Sequence, residues 1–125
     1  MITVTKEQAV KIHRLITDET GGDPGLRDPG LLDSALSGAF QSFGGKELYP
    51  TLEEKAARIG FSLISNHAFT DGNKRIGMLV LMTFLEVNGI KFDPTDEETA
   101  RVGFAAASGK MGYEDLLKWI YDNES

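Results

Sequence analysis

The chain contains no cysteine. Disulfide bonds and thiolate zinc sites are therefore excluded, which fits a reducing cytoplasm. No stretch approaches the ~20 consecutive apolar residues that span a bilayer. The opening Met1-Ile2-Thr3-Val4-Thr5-Lys6-Glu7 lacks the charged start and apolar core of a secretory leader. The expectation is a soluble, cytoplasmic protein with no membrane partner. Basic side chains are scarce too, thirteen against nineteen acidic ones, for a formal charge of −6. Such a surface repels a phosphate backbone and argues against direct nucleic-acid binding. Repeats, low-complexity tracts and linkers are also missing. Residues 1–125 are thus expected to form one domain, long enough to fold without staples.

What the sequence does contain is helix punctuation. Thr5 with Gln8, Thr51 with Glu54 and Thr95 with Glu98 each place Thr three residues before Glu or Gln, the spacing of a reciprocal capping box. Six helices are predicted: about 5–20, with Val10, Leu15 and Ile16 apolar; from Asp28 and Pro29 to about Phe40; about 52–66, with Ala56, Ile59, Gly60, Leu63 and Ile64 inward; about 73–88; about 96–107; and about 112–122, with Leu116, Leu117, Trp119 and Ile120 apolar. Gly21-Gly22 and Asn88-Gly89 stop the first and fourth. Gly44-Gly45 through Pro50 reads as loop, and Ile90-Lys91-Phe92 as the one short extended piece. The fourth helix is apolar almost all round, the pattern of a buried centre.

The richest chemistry lies in His67-Ala68-Phe69-Thr70-Asp71-Gly72-Asn73-Lys74-Arg75. Asp71-Gly72-Asn73 is turn chemistry, and the apolar period resumes at Ile76, Leu79, Val80 and Phe84, so the turn opens the fourth helix. The free N–H groups from Gly72 to Arg75 then face a spot that favours negative charge. Lys74 and Arg75 in that first turn oppose the helix dipole at ~0.3–1 kcal/mol each, so an anion is expected to balance them, and a polyphosphate fits. Phosphoryl transfer needs a base for the hydroxyl, a cation on the phosphates and donors for the moving charge. His67, Asp71 and the Gly72-to-Arg75 amides supply these. Asp71 and Asn73 have a second reading as turn or cap residues, and Phe69 reads as an apolar plug.

The remaining distinctive residues read as structural. His13 is expected to be half-buried or on the surface, Arg27 to pair with Asp28 or Asp33, and Met78, Met82 and Trp119 to fill the core. Asp96-Glu97-Glu98 and Asp122-Asn123-Glu124 read as solvated acidic faces. Phe40, Phe43, Leu48 and Tyr49 are more apolar surface than a loop needs. They either cover the core or, with the first helix, seat a partner segment.

The nine-residue run resembles the H-x-F-x-[D/E]-G-N-[G/K]-R signature of the Fic/Doc superfamily, and its eighth-position lysine resembles the Doc (death-on-curing) toxin branch. The stretch from Gly21 through Asp23-Pro24-Gly25, Arg27-Asp28-Pro29-Gly30 and on to Leu36 resembles the segment joining the first two helices of Doc-type toxins. The resemblance implies an all-α, six-helix bundle whose motif loop opens the central helix. It implies His67 as general base on a target hydroxyl, Asp71 as the Mg²⁺ ligand, Gly72 and Asn73 as the anion hole, and Lys74 and Arg75 on the nucleotide phosphates. AMP-transferring Fic enzymes resemble G-N-G-R-x-x-R, where this chain has Lys74 and Met78 in place of the second Gly and second Arg. The resemblance therefore points to ATP-dependent γ-phosphate transfer to a translation factor, elongation factor Tu, blocking translation. Fic-type AMP or nucleotidyl transfer and a non-catalytic phosphate- or partner-binding module are the alternatives. The inhibitory [S/T]-x-x-x-E-[G/N] motif of the superfamily is absent, so a separate Phd-type antitoxin is expected.

Overall fold

A computed structural model describes all residues, 1–125. Six helices carry the fold: α1 (Lys6–Thr20), α2 (Pro29–Ser37), α3 (Leu52–Asn66), α4 (Asn73–Val87), α5 (Asp96–Ala107) and α6 (Tyr113–Asp122). The fold is all-α apart from a small hairpin. None of the helices is long and apolar enough to cross a membrane.

The starts follow the capping residues. Thr5 and Thr51 form reciprocal boxes with Gln8 and Glu54, and Asp28 caps Leu31 N–H ahead of Pro29. Thr95 accepts from Glu98 N–H at 3.1 Å, but the return bond of a box is missing. The Glu98 carboxylate is instead taken by Arg101, at 2.7 and 3.0 Å, and by Trp119 Nε1 at 3.1 Å. The Arg101 bond also holds that carboxyl below its ordinary pKa. This acidic run is therefore not simply solvated. Nor is the other: Asp122 pairs with Lys118 at 2.7 Å, and Glu124 faces Glu53.

Two predicted ends shift. α2 stops at Ser37 and tightens into a 3₁₀ turn, Gly38–Phe40. The Gly44–Pro50 loop opens with a hairpin of β1 (Ser42–Phe43) and β2 (Lys46–Glu47), pairing Ser42 with Glu47 and Phe43 with Lys46. Gly44 and Gly45 turn it with φ of 59° and 81°, the left-handed pair a two-residue hairpin requires. The strands are too short to leave a period-2 signal. Ile90-Lys91-Phe92 yields only an isolated bridge, Phe92 to Glu124.

Twenty-five buried apolar residues form one core cluster. α4 lies at its centre against α1, α3 and α5, burying Ile76, Met78, Val80, Leu81, Phe84 and Leu85 and leaving a stripe with Leu79 and Val87 at the surface. α3 is its principal partner and also meets α2, α5, α6 and the 3₁₀ turn. The two helices touch backbone to backbone at Gly60 and Gly77, where an added Cβ would come within 2.7 Å of Leu81 and 2.5 Å of Ile64 respectively. Small residues at this crossing fix the spacing of α3 and α4, and thereby of the loop that joins them.

On α1 the buried stripe is Ala9, His13, Ile16 and Thr17, whereas Leu15 falls off that face and is exposed. Lys55 on α3 is fully buried, with its ammonium on Glu47 at 2.9 Å and on the Tyr49 carbonyl, which ties the hairpin to the bundle. Phe40 and Tyr49 cover the core, in edge contacts with Phe84 and Tyr113, while Phe43 and Leu48 stand in solvent.

Candidate functional site

The loop His67–Gly72 leaves the end of α3 and enters α4, so the α3–α4 packing brings both ends of the motif together. His67 caps α3 in the left-handed region at φ 55°, the one non-glycine residue of the chain with positive φ. That conformation costs an L-residue ~1–2 kcal/mol and persists only where the surroundings impose it. Arg27 imposes it here. Its Nε and one terminal N–H group donate to the His67 carbonyl at 2.8 and 2.5 Å. Arg27 was expected to pair with Asp28 or Asp33, but Asp28 caps α2 and Asp33 meets Lys6 at 3.5 Å.

The segment before α2 runs alongside the loop as an improvised strand. The amides of Arg27 and Asp28 both donate to the Ala68 carbonyl at 2.9 Å, Thr70 N–H donates to Gly25 at 3.0 Å, and Leu26 bridges Phe69. Asn66 adds a bond to Ala68 N–H at 3.2 Å. Asn73 is the first residue of α4 rather than its cap, which is Gly72 at φ 77°. Its side chain brackets Phe69, accepting from the amide at 3.1 Å and donating to the carbonyl at 3.0 Å. With the side-chain oxygen and one of its two amide hydrogens engaged, Asn73 has its backbone amide and the second side-chain N–H left for an anion. Phe69 is fully buried, as a plug should be.

Facing solvent are His67, Asp71, Lys74 and Arg75, with Gly72 half-buried between them. The first-turn amides of Asn73, Lys74 and Arg75 have no partner in the chain. Neither Lys74 nor Arg75 enters an ion pair. The first turns of α1, α3, α5 and α6 carry acidic residues and α2 has the Asp28 carboxylate as its cap, as the helix dipole favours, whereas α4 has neither and places Lys74 and Arg75 in its first turn. Lys74 Nζ stands 5.3 Å from the centroid of the Phe104 ring, so α5 contributes a wall that the sequence does not announce. The Asp71 carboxylate accepts from Gly72 N–H at 2.8 Å and lies against Gly22, where a Cβ would meet it at 2.8 Å. No group of three or more His, Asp or Glu is placed to hold a metal ion, which leaves Asp71 as a lone carboxylate.

His13 belongs to this neighbourhood, against expectation. It is fully buried, stacks on Phe69 with ring centroids 3.8 Å apart, and reaches the Asp71 carbonyl at 2.6 Å. Position 13 falls on the inward stripe of α1 with Ala9 and Ile16, which is the signal that would have placed it. Arg27 gave no such signal, because its role depends on how two loops lie side by side.

The Fic/DOC family matches residues 3–85, and the chain belongs to it. Over 122 residues it is 30% identical to "Protein kinase doc" of Escherichia phage P1, with 94% of each chain covered. It is 44% identical over 71 residues to "Toxin Doc" of Mycolicibacterium smegmatis (strain ATCC 700084 / mc(2)155). That match takes in 57% of this chain and 55% of the mycobacterial protein, so the chain spans about half the length of that relative.

Proposed function

We propose that the protein is a Doc-type toxin of a toxin–antitoxin pair. In this reading it is a Mg²⁺-dependent protein kinase that moves the γ-phosphate of ATP to a hydroxyl of a translation factor, elongation factor Tu by resemblance. The observation that carries the reading is the inverted charge of the α4 N-terminus, where two unpaired cations and three free amides gather beside exposed Asp71 and His67. An isolated helix start would not keep that arrangement, whereas a triphosphate rewards it. The names of the two relatives point the same way.

In this mechanism His67 accepts the proton of the substrate hydroxyl as its oxygen attacks the γ-phosphorus. The bond from the γ-phosphorus to the β-bridging oxygen breaks, and ADP leaves. The amides of Asn73, Lys74 and Arg75, with the two side-chain cations, face the charge on the moving group. A lone exposed carboxylate suits Mg²⁺, which keeps several waters and takes further ligands from the phosphates. Bound there, the ion would neutralise phosphate charge, and Asp71 would hold it. A translation factor as substrate makes the cytoplasm the place of action. Regulation falls to a separate Phd-type antitoxin, for which the exposed Phe43, Leu48 and Leu15 are candidate contacts.

The experiment is to incubate purified protein with a cell extract and ATP radiolabelled on either the γ- or the α-phosphate. Transfer of the γ label alone supports the kinase reading. Transfer of the α label would replace it with nucleotidyl transfer, and the absence of both labels from protein would leave a phosphate- or partner-binding module.

A further inference from the structure

The proposed chemistry makes no use of His13, yet this imidazole is fully buried, 58 residues before the carbonyl it touches. A carbonyl oxygen only accepts, so the 2.6 Å contact requires that Nε2 carry hydrogen and donate to Asp71. Nδ1 is buried with no partner, which makes it the bare nitrogen of the ring. A polar ring in such a place is costly unless its hydrogen bond is needed. Phe69 fixes the plane of the ring by stacking at 17°, and Gly72 lies next to it, where a Cβ would stand 3.4 Å from Nε2.

The bonded carbonyl is one end of the Asp71–Gly72 peptide unit. The other end is Gly72 N–H, which donates to Asp71 Oδ1 at 2.8 Å. Both polar ends of this one peptide are thus held, the first by α1 and the second by the carboxylate expected to hold the cation. Glycine at position 72 makes rotation of that peptide cheap, since both signs of φ are open to it. Rotated, the unit would turn its carbonyl oxygen toward the α4 N-terminus and release the carboxylate. An oxygen there repels phosphate.

We propose that His13 is a positioning residue that locks the Asp71–Gly72 peptide through its Nε2–H, keeping the carbonyl away from the phosphate site and the Asp71 carboxylate aimed. The inference rests on the phosphate-transfer reading for its benefit, but its geometry can be tested apart from activity. In the unaltered full-length chain, labelled on histidine nitrogen, NMR should report hydrogen on Nε2 and none on Nδ1 of His13. The opposite tautomer would overturn the proposal without any variant.

His13→Phe keeps the stack on Phe69 and removes the donor, whereas His13→Gln can return an amide N–H to the same carbonyl. The expected result is a folded His13→Phe whose Gly72 amide resonance moves and whose kcat falls roughly 10- to 100-fold, in the range of a misplaced reacting group. His13→Gln should recover most of both. Equal behaviour of the Phe and Gln variants, or a folded Phe variant with parental Gly72 resonance and parental ATP affinity, would show that the donor positions nothing. If the parent transfers no phosphate, the kinase reading fails on that result, while the tautomer, the Gly72 resonance and ATP titration still decide the role of His13.

Discussion

Gly77→Ala probes the element on which the site depends most, the crossing of α3 and α4. An added Cβ would stand 2.5 Å from Cγ1 of Ile64 and 2.9 Å from the Gly60 carbonyl oxygen. Carbon atoms rest at about 3.5–4.0 Å, so the helices must part by about 1 Å or Ile64 must leave its rotamer. Ile64 is 2% exposed and β-branched, and the carbonyl is backbone, so neither yields readily. Overpacking costs ~1–3 kcal/mol, and replacing a mid-helix glycine returns ~0.5–1 kcal/mol. The net loss is roughly 0.5–2 kcal/mol, or a fall in Tm of about 2–8 °C for a chain of this size. Separation would also move His67, at the end of α3, relative to Asp71, so phosphate transfer should fall by ~10-fold or more. Urea and thermal unfolding followed by helical circular dichroism give the first number, and γ-label transfer gives the second. Gly38→Ala is the control, because φ is −59° there and a Cβ would meet nothing within 4 Å. It should be neutral or gain ~0.4–1 kcal/mol. A Gly77→Ala protein as stable and active as its parent would refute the claim that this crossing sets the site.

Asp71→Ala should give very low transfer that added Mg²⁺ no longer stimulates, and a parental Mg²⁺ response in that variant would assign the ion to another residue. Lys74→Gly should lower γ-phosphate transfer more than ATP affinity, read as kcat against a titrated Kd, because the proposed mechanism assigns the Lys charge to the reacting phosphates. Full kinase activity in that variant would sink the role given to Lys74. Glu124 yields a pH prediction. The neighbouring Glu53 carboxyl, together with burial, pushes its carboxyl up to about 7 from an ordinary 4.5. A raised carboxyl binds its proton more tightly in the folded chain, so this contribution is complete below about pH 4.5 and is lost as pH rises through about 7. Glu124→Gln should flatten the stability profile across that window, and an unchanged profile would place the titration elsewhere.

The helices were legible because each is marked twice, by a cap and by an apolar period. Thr5, Asp28, Thr51 and Thr95 set starts that the structure keeps, and Gly21 closes α1 in the left-handed conformation the sequence suggests. The motif was legible because Asp71-Gly72-Asn73 is a turn followed at once by helix. What stayed hidden depends on contacts distant in sequence. Arg27 holds a carbonyl 40 residues away, and His13 one 58 residues away. Lys55 looks like a surface residue in sequence and is fully buried, because the hairpin folds back and brings Glu47 and the Tyr49 carbonyl to its ammonium. Leu15 shows the reverse, an apolar residue on the wet side of α1, off the stripe set by Ala9, His13 and Ile16.

The central claim is that His67 acts as the base in phosphate transfer from ATP, and the direct measurement is single-turnover transfer of γ label by purified parent and His67→Ala proteins at saturating ATP. The His67 side chain is exposed, and its structural contacts, the cap of α3 and the carbonyl held by Arg27, are backbone that alanine keeps, so the variant should keep parental helicity. Its transfer rate should drop by ~10²–10⁴, the usual cost of removing a positioned base. A folded His67→Ala protein that transfers phosphate at the parental rate would contradict the account.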